Sequence, residues 1–429
     1  MTSERRNKSR SATSRKPRER SANRDEVAPS SPSNATRVEQ DMQWSMIESK
    51  PVPAVTLPFL YDSHVNSMIL AIAVGILSVL YYQRSYATMG EALVKAVPYV
   101  TGMFVAVGLI AFPHGPFIRP HPVVWRMLFG LSLLYLVGLI AMLFLTPGQA
   151  RQLLNTFDPR VGLPFKLPNY ADHCELTYEN VYNVMDRFVP AHFFGWFVKA
   201  LMIRHRVLLW SFSIAWELLE ISLIYAVPNF AECWWDQWIL DVLICNGIGL
   251  ELGLYVCNWL EHKRYVWSGV LEESTLVAKV RRTFLQFTPE SWTTVEWESL
   301  ETVKRYLQVQ FLLFIALLME LNGFLLKLNL YIPTEHSWNV YRLVLICLIA
   351  MPAIRQYYLY CVDSRVKRLG SQAVVLMLIC VVELALIFKT MAPEVFHPPR
   401  ANVNMWIGAV LVWSVASVSL LMRRKAKNE

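Results

Sequence analysis

The chain has 429 residues, 54% of them hydrophobic, and a formal net charge of +8; its mean hydropathy is +0.32. Soluble domains average roughly 45–50% apolar, and the excess here is gathered into runs of the length that crosses a bilayer, about 20 residues as a helix. That argues against a soluble enzyme. A nucleic-acid binder is disfavoured too: ten Lys/Arg lie within residues 1–42, and Arg423, Arg424, Lys425 and Lys427 close the chain, the pattern of positive-inside bias and attraction to anionic lipid heads.

Residues 1–50 are rich in Ser, Arg, Asn and Pro with no apolar period. They read as a disordered basic cytosolic tail, and not as a signal peptide, because no apolar region follows the charges closely. The membrane domain is 51–422, and 423–429 form a basic cytosolic C-terminal tail. Hydropathy predicts ten spans, at 63–83, 93–112, 123–145, 188–204, 207–227, 235–260, 302–326, 338–359, 370–389 and 402–422. The fourth is short and carries His192 and Lys199. The expected fold is an all-α polytopic integral membrane protein. Basic connections (Arg119 with Arg126, Arg204 with Arg206, 263–282, 365–368) alternate with the others, which puts both termini in the cytosol. Loop 146–187 and the turn 228–236 then lie on the far side. The seven cysteines show neither a CxxC pair nor a disulfide ladder.

Residues 211–253 depart from ordinary membrane-protein composition. They hold Glu217, Glu220, Glu232, Asp236, Asp241 and Glu251, and no Lys or Arg occurs from Val207 to His262. A carboxylate at mid-bilayer costs about 2.5–3.5 kcal/mol, and neighbours repel one another. Either some are protonated or a cation binds them. Glu217 and Glu220, three apart, share a helix face. Pro228-Asn229 breaks that helix, Glu232 and Asp236 stand at the turn, and Asp241 lies one to two turns into the returning span. These five therefore fall in one half of a helical hairpin. Oxygen-only ligands suit Ca²⁺ or Mg²⁺. Asp236 and Asp241, five apart, face differently on a regular helix, so one binds through a distorted first turn or serves a substrate ammonium. A proton relay or a packing cluster is the alternative, and Glu251 reads as a partner for a neighbouring helix.

His192, in VPAHFFGW, lies at the depth of these acids. An imidazole can act there as general base or acid; a purely structural histidine is the plainer reading. Lys199, two turns deeper, could contact a phosphate or simply snorkel. Glu320 and Arg355 are expected to form a buried structural pair. GxGxxG, P-loop, HExxH, GxSxG and DHHC patterns are missing. So is the CDP-alcohol phosphotransferase pattern, which argues against a CDP-activated donor.

The motifs AHFFGWFVKALMIR, WELLE, PNFAECWWDQWILDVLICNGIG, LQFTPESW, MELNGFLLK and RQYYLY, with the earlier FPHGPFIRPHPVVWRMLFGLSLLYL, resemble the eukaryotic base-exchange phosphatidylserine synthases over about residues 55–420. The resemblance implies exchange of the headgroup of phosphatidylethanolamine or phosphatidylcholine for L-serine, with Ca²⁺ and no nucleotide, giving phosphatidylserine. It also implies a homodimer in the endoplasmic reticulum membrane with its active site toward the luminal half. Some of Glu217, Glu220, Glu232, Asp236 and Asp241 would hold Ca²⁺, and His192 would be general base and acid or the nucleophile of a phosphatidyl-enzyme. Lys199, Asn229 and Asn246 would bind substrate. The same resemblance links Arg119, Arg282, Gln286, Pro289 and Gln372 to restraint by the product; plain positive-inside charge is the other reading of the arginines. FVPAHFFGW and Trp238 look closer to the ethanolamine-exchanging type, whereas MELNGF departs from the usual ELNTF. A cation transporter or channel could use the same acids, but no inverted repeat is visible. A membrane acyltransferase would not need five clustered acids.

Overall fold

The computed structural model describes residues 89–113, 115–117, 119–165, 170–171, 174–184, 188–262, 273–289, 292–391 and 397–428. The expected first span, 63–83, and the N-terminal tail lie outside them. Among the described residues all regular structure is helical: α1 Met89–Ala111, α2 Pro122–Met142, α3 Pro147–Phe157, α4 Tyr178–Val184, α5 Phe188–Ile203 and α6 Arg206–Leu223. A short 3₁₀ turn, Pro228–Phe230, leads to α7, Asp236–His262. Then follow α8 Leu276–Phe284, α9 Val303–Asn329, α10 Ser337–Val362, α11 Ser371–Thr390 and α12 Arg400–Asn428.

By length and composition seven of these can cross a membrane: α1, α2, α7, α9, α10, α11 and α12. The protein is a multi-pass membrane protein. The expected fourth and fifth spans form as helices but fall outside the seven. Helix α5 is apolar with only 16 residues, and α6, with 18, carries Arg206, Glu217 and Glu220.

Helix starts follow local chemistry. His121 caps α2 by accepting the Val123 amide, and Pro122 occupies the first turn, where no donor is needed. Thr146 and Gln149 form a capping box on α3. Thr302 caps α9 and His336 caps α10.

Packing is organised around two apolar clusters. One joins α2, α9, α10 and α11 through Phe129, Met319, Leu326, Ile349, Ala353, Ile379 and Leu386. Inside it Arg342 of α10 grips fully buried Glu383 of α11 with both carboxylate oxygens, at 2.7 and 2.8 Å. Tyr135 of α2 donates to Glu383 at 2.5 Å and Asn322 of α9 donates at 3.3 Å. Four helices thus meet on one carboxylate. Gly323 leaves the room this needs, since a Cβ there would stand 2.6 Å from Arg342 Nη1. The second cluster joins α5, α6 and α7 to α9 and α10 through Trp196, Leu209, Phe212, Leu250 and Val309.

The expected Glu320–Arg355 pair is not formed. Glu320 lies 2.6 Å from Lys199, and Arg355 donates to Thr293 Oγ1 at 3.2 Å. Both residues sit in the C-terminal halves of their helices. Because α9 and α10 run antiparallel across a short turn, those halves are at opposite ends. A disulfide, Cys174–Cys233, ties the loop after α3 to the segment before α7. Two cysteines 59 residues apart carry no such signal in sequence.

Candidate active site

Helices α5 and α7 approach unusually closely, because α7 carries glycines where they touch. A Cβ at Gly249 would lie 2.4 Å from the Phe193 carbonyl, and one at Gly253 would lie 2.7 Å from the Phe197 carbonyl and 2.6 Å from Ala200 Cβ. Small residues four apart let membrane helices pack backbone to backbone. Here that contact brings His192 to Asp241, with the Nδ1–H donating to Asp241 Oδ1 at 2.9 Å.

The first half of α7, Asp236–Asn246, is a π-helix. Its i→i+5 closure stacks residues five apart. A helix of 3.6 residues per turn would set them about 140° from one another. Asp236, Asp241 and Asn246 therefore share one buried face. The divergence expected of Asp236 and Asp241 is removed along 11 residues of the helix, and not only in its first turn.

From α6, Glu217 and Glu220 face this surface, both buried. Their carboxyls lie within electrostatic reach of each other. Asn246 Nδ2 donates to Glu217 Oε1 at 3.3 Å and to Ser213 Oγ at 3.0 Å. Glu232 precedes α7, and Glu217, Glu220, Glu232, Asp241 and His192 lie within electrostatic reach of one another. Asp236 reaches the group through Glu232. Behind them Trp216, Phe230 and Phe324 form an aromatic floor with centroids 5.2–6.4 Å apart.

The five expected acids and His192 are thus brought together. They are not closed into a cage: among the described residues no group of three His, Cys, Asp or Glu side chains is arranged to hold an ion. Yet buried oxygens here have no hydrogen-bond partner, namely Glu217 Oε2, Glu232 Oε2 and Asn246 Oδ1, as does Asn229 Oδ1 in the 3₁₀ turn between α6 and α7. Each unsatisfied buried group costs about 1–3 kcal/mol. An all-oxygen set of this kind fits a hard divalent cation.

Other expected site residues are placed apart. Lys199 is committed to Glu320, with the Trp196 ring 4.2 Å from its ammonium. Glu251 pairs with Arg206 at 2.6 Å, as expected of a structural acid. At the far end, Arg119 Nη1 donates to Leu285 O at 3.5 Å, which places it against the 3₁₀ turn Leu285–Phe287 that holds Gln286. Arg282 is buried on the adjoining α8, and Pro289 follows that turn. Gln372 is buried at the start of α11, where Gly115 of the Arg119 loop leaves room for its amide. Sequence reasoning missed the glycine contact, the π-helix and the disulfide. The spacing of Gly249 and Gly253 was a signal that could have been read.

An acid cluster with a carboxylate-bound histidine at its edge marks the candidate active site of a multi-pass membrane protein. The sequence profile described as "Phosphatidyl serine synthase" matches residues 120–391. The chain is 38% identical over 383 residues to "Phosphatidylserine synthase" of Drosophila melanogaster, covering 87% of this chain and 76% of that one. It is 38% identical to "Phosphatidylserine synthase 1" of Danio rerio, over 77% of this chain and 72% of that one. It is 36% identical to "CDP-diacylglycerol--serine O-phosphatidyltransferase 2" of Oryza sativa subsp. japonica, over 79% and 81%. The chain belongs to the phosphatidylserine synthase family and is a transferase of phospholipid synthesis.

Proposed function

We propose that the protein makes phosphatidylserine by exchanging L-serine for the ethanolamine, or choline, of an existing phospholipid at the His192 site. The observation that carries this is the His192–Asp241 pair at 2.9 Å beside buried acids with partnerless oxygens.

Asp241 accepts the proton of Nδ1 and so leaves Nε2 as the basic nitrogen. Among the described residues His192 makes no other hydrogen bond. Nε2 takes the proton of the serine hydroxyl as that oxygen forms its bond to phosphorus. The same proton goes to the departing ethanolamine oxygen as the old P–O bond breaks. One phosphodiester is made as another is lost, so no nucleotide is needed. The acids left over suit the ammonium that serine and ethanolamine share. Glu217, Glu232, Asn229 and Asn246, with Glu220, Asp236 or Asp241, would hold Ca²⁺, which when bound neutralises phosphate charge. The second course, attack of Nε2 on phosphorus to give a phosphatidyl-histidine, uses the same geometry.

The site faces the lumen of the endoplasmic reticulum in this reading, with ten spans and both termini cytosolic. The Cys174–Cys233 disulfide beside the acids supports it, because disulfides persist in oxidising compartments. Arg119, Arg282, Gln286, Pro289 and Gln372 form a product-sensing region on the opposite face, and the working unit is a homodimer.

The test supplies labelled L-serine with phosphatidylethanolamine or phosphatidylcholine to purified protein, without CTP, with Ca²⁺ present or chelated. Label should enter phosphatidylserine only with Ca²⁺, and more from phosphatidylethanolamine. Incorporation that required CDP-diacylglycerol would overturn the exchange reading.

A further inference from the structure

In the sequence Lys199 could contact a phosphate or simply snorkel, but Glu320 holds it at 2.6 Å. That ion pair links α5 to α9. The two helices run antiparallel, since Trp297 Nε1, just before α9, donates to Ile203 O at the end of α5. Seven residues back along α5 from Lys199 is His192. Seven residues forward along α9 from Glu320 is Lys327. Each step is close to two turns, about 10 Å, and both run toward the same end. By this count Lys327 falls toward the His192 end of α5, on the α9 face that carries Glu320.

Lys327 is within electrostatic reach of Glu220, and its ammonium lies 4.6 Å from the centroid of Phe324, in the aromatic floor of the site. Among the described residues its ammonium forms no hydrogen bond or ion pair. Lys199, Arg206 and Arg342, by contrast, are all paired with carboxylates. It sits in the last turn of α9, where a lysine reaches the headgroup level, and a lysine is a point charge suited to phosphate.

We propose that Lys327 binds the phosphate of the phosphatidyl substrate. An anionic phosphodiester approaching five acidic side chains meets net repulsion, and Lys327 supplies an opposite charge within electrostatic reach of Glu220. This rests on the reading above only in requiring a phosphatidyl lipid as substrate, whatever its headgroup. The carboxylate of serine is the other anion at the site, and the test separates the two.

The experiment titrates full-length protein in detergent, with chelator, using fluorescent acyl-labelled phosphatidylethanolamine and the matching labelled diacylglycerol. Lys327→Met should weaken phosphatidylethanolamine binding roughly tenfold or more, as loss of a charged hydrogen bond does, and leave diacylglycerol binding within about twofold. Lys327→Arg should restore most of the lost affinity. In the exchange assay the KM for serine should stay unchanged in both variants. Unchanged phosphatidylethanolamine binding in Lys327→Met, an equal loss for diacylglycerol, or a raised serine KM in place of a lipid effect would overturn the proposal. Wild-type protein that binds the lipid through Lys327 but transfers no serine would refute base exchange alone. Wild-type protein that exchanges while Lys327→Met binds normally would refute the Lys327 assignment alone.

Discussion

Adding one methyl group at Gly249 should disable the enzyme without touching any polar residue. In Gly249→Ala the new Cβ would start 2.4 Å from the Phe193 carbonyl, and ordinary contact begins at 3.4 Å. The obstacle is backbone, so no rotamer relieves it, and α5 must move off α7 by about 1 Å at the residue after His192. The His192–Asp241 hydrogen bond, 2.9 Å long, then opens to about 3.9 Å, beyond hydrogen-bonding distance. A misplacement of about 1 Å at a reacting group costs on the order of 100-fold in rate, whereas the overpacking itself costs about 1–3 kcal/mol of stability. The assay is the initial rate of serine incorporation, alongside thermal unfolding in detergent to show that the variant is folded. Gly195→Ala is the control. It lies on α5 near His192, and a Cβ there meets nothing within 4 Å, so activity should hold and helix propensity improve by about 1 kcal/mol. Folded Gly249→Ala with activity within twofold of wild type would refute the claim that glycine packing sets the His192 geometry.

His192→Ala and Asp241→Asn should each lower exchange by about 10²–10⁴-fold, the usual contribution of a positioned acid–base group, with folding intact by thermal unfolding. Glu383→Gln leaves Arg342 buried without its counter-charge and should cost about 3–5 kcal/mol, whereas the double change Arg342→Met, Glu383→Leu should recover much of that loss. Cys174 and Cys233 should resist a maleimide reagent until reduced, and Cys233→Ser should lower the thermal midpoint by an amount matching about 2–4 kcal/mol. Outside the spans, the Asp158 carboxyl is held below its ordinary range, chiefly by hydrogen bonds from Arg160 and also by His336 Nε2 at 3.0 Å. Its folded-state value is depressed, so its stabilisation is present above the unfolded value and fades as pH falls below about 4. Asp158→Asn should therefore lower the thermal midpoint at neutral pH, and its gap from wild type should shrink in acid.

Sequence by itself determined that the chain is helical and membrane-embedded, because apolar runs of bilayer length have few other solutions. It also singled out the five acids and His192, since intramembrane carboxylates without basic neighbours are rare and costly. Even their gathering was legible, through the helix break at Pro228 between α6 and α7. Pairings across distant helices were not, because helical periodicity says which face a residue occupies but not which helix will meet it. Thus Glu320 went to Lys199, Glu383 to Arg342, and Cys174 to Cys233. Only the tertiary structure wound 236–246 as a π-helix and set Asp236, Asp241 and Asn246 in line. Only it pressed α5 onto Gly249 and Gly253 and brought Lys327 within electrostatic reach of Glu220. These outcomes depend on close contact between helices far apart in sequence, which no local pattern encodes.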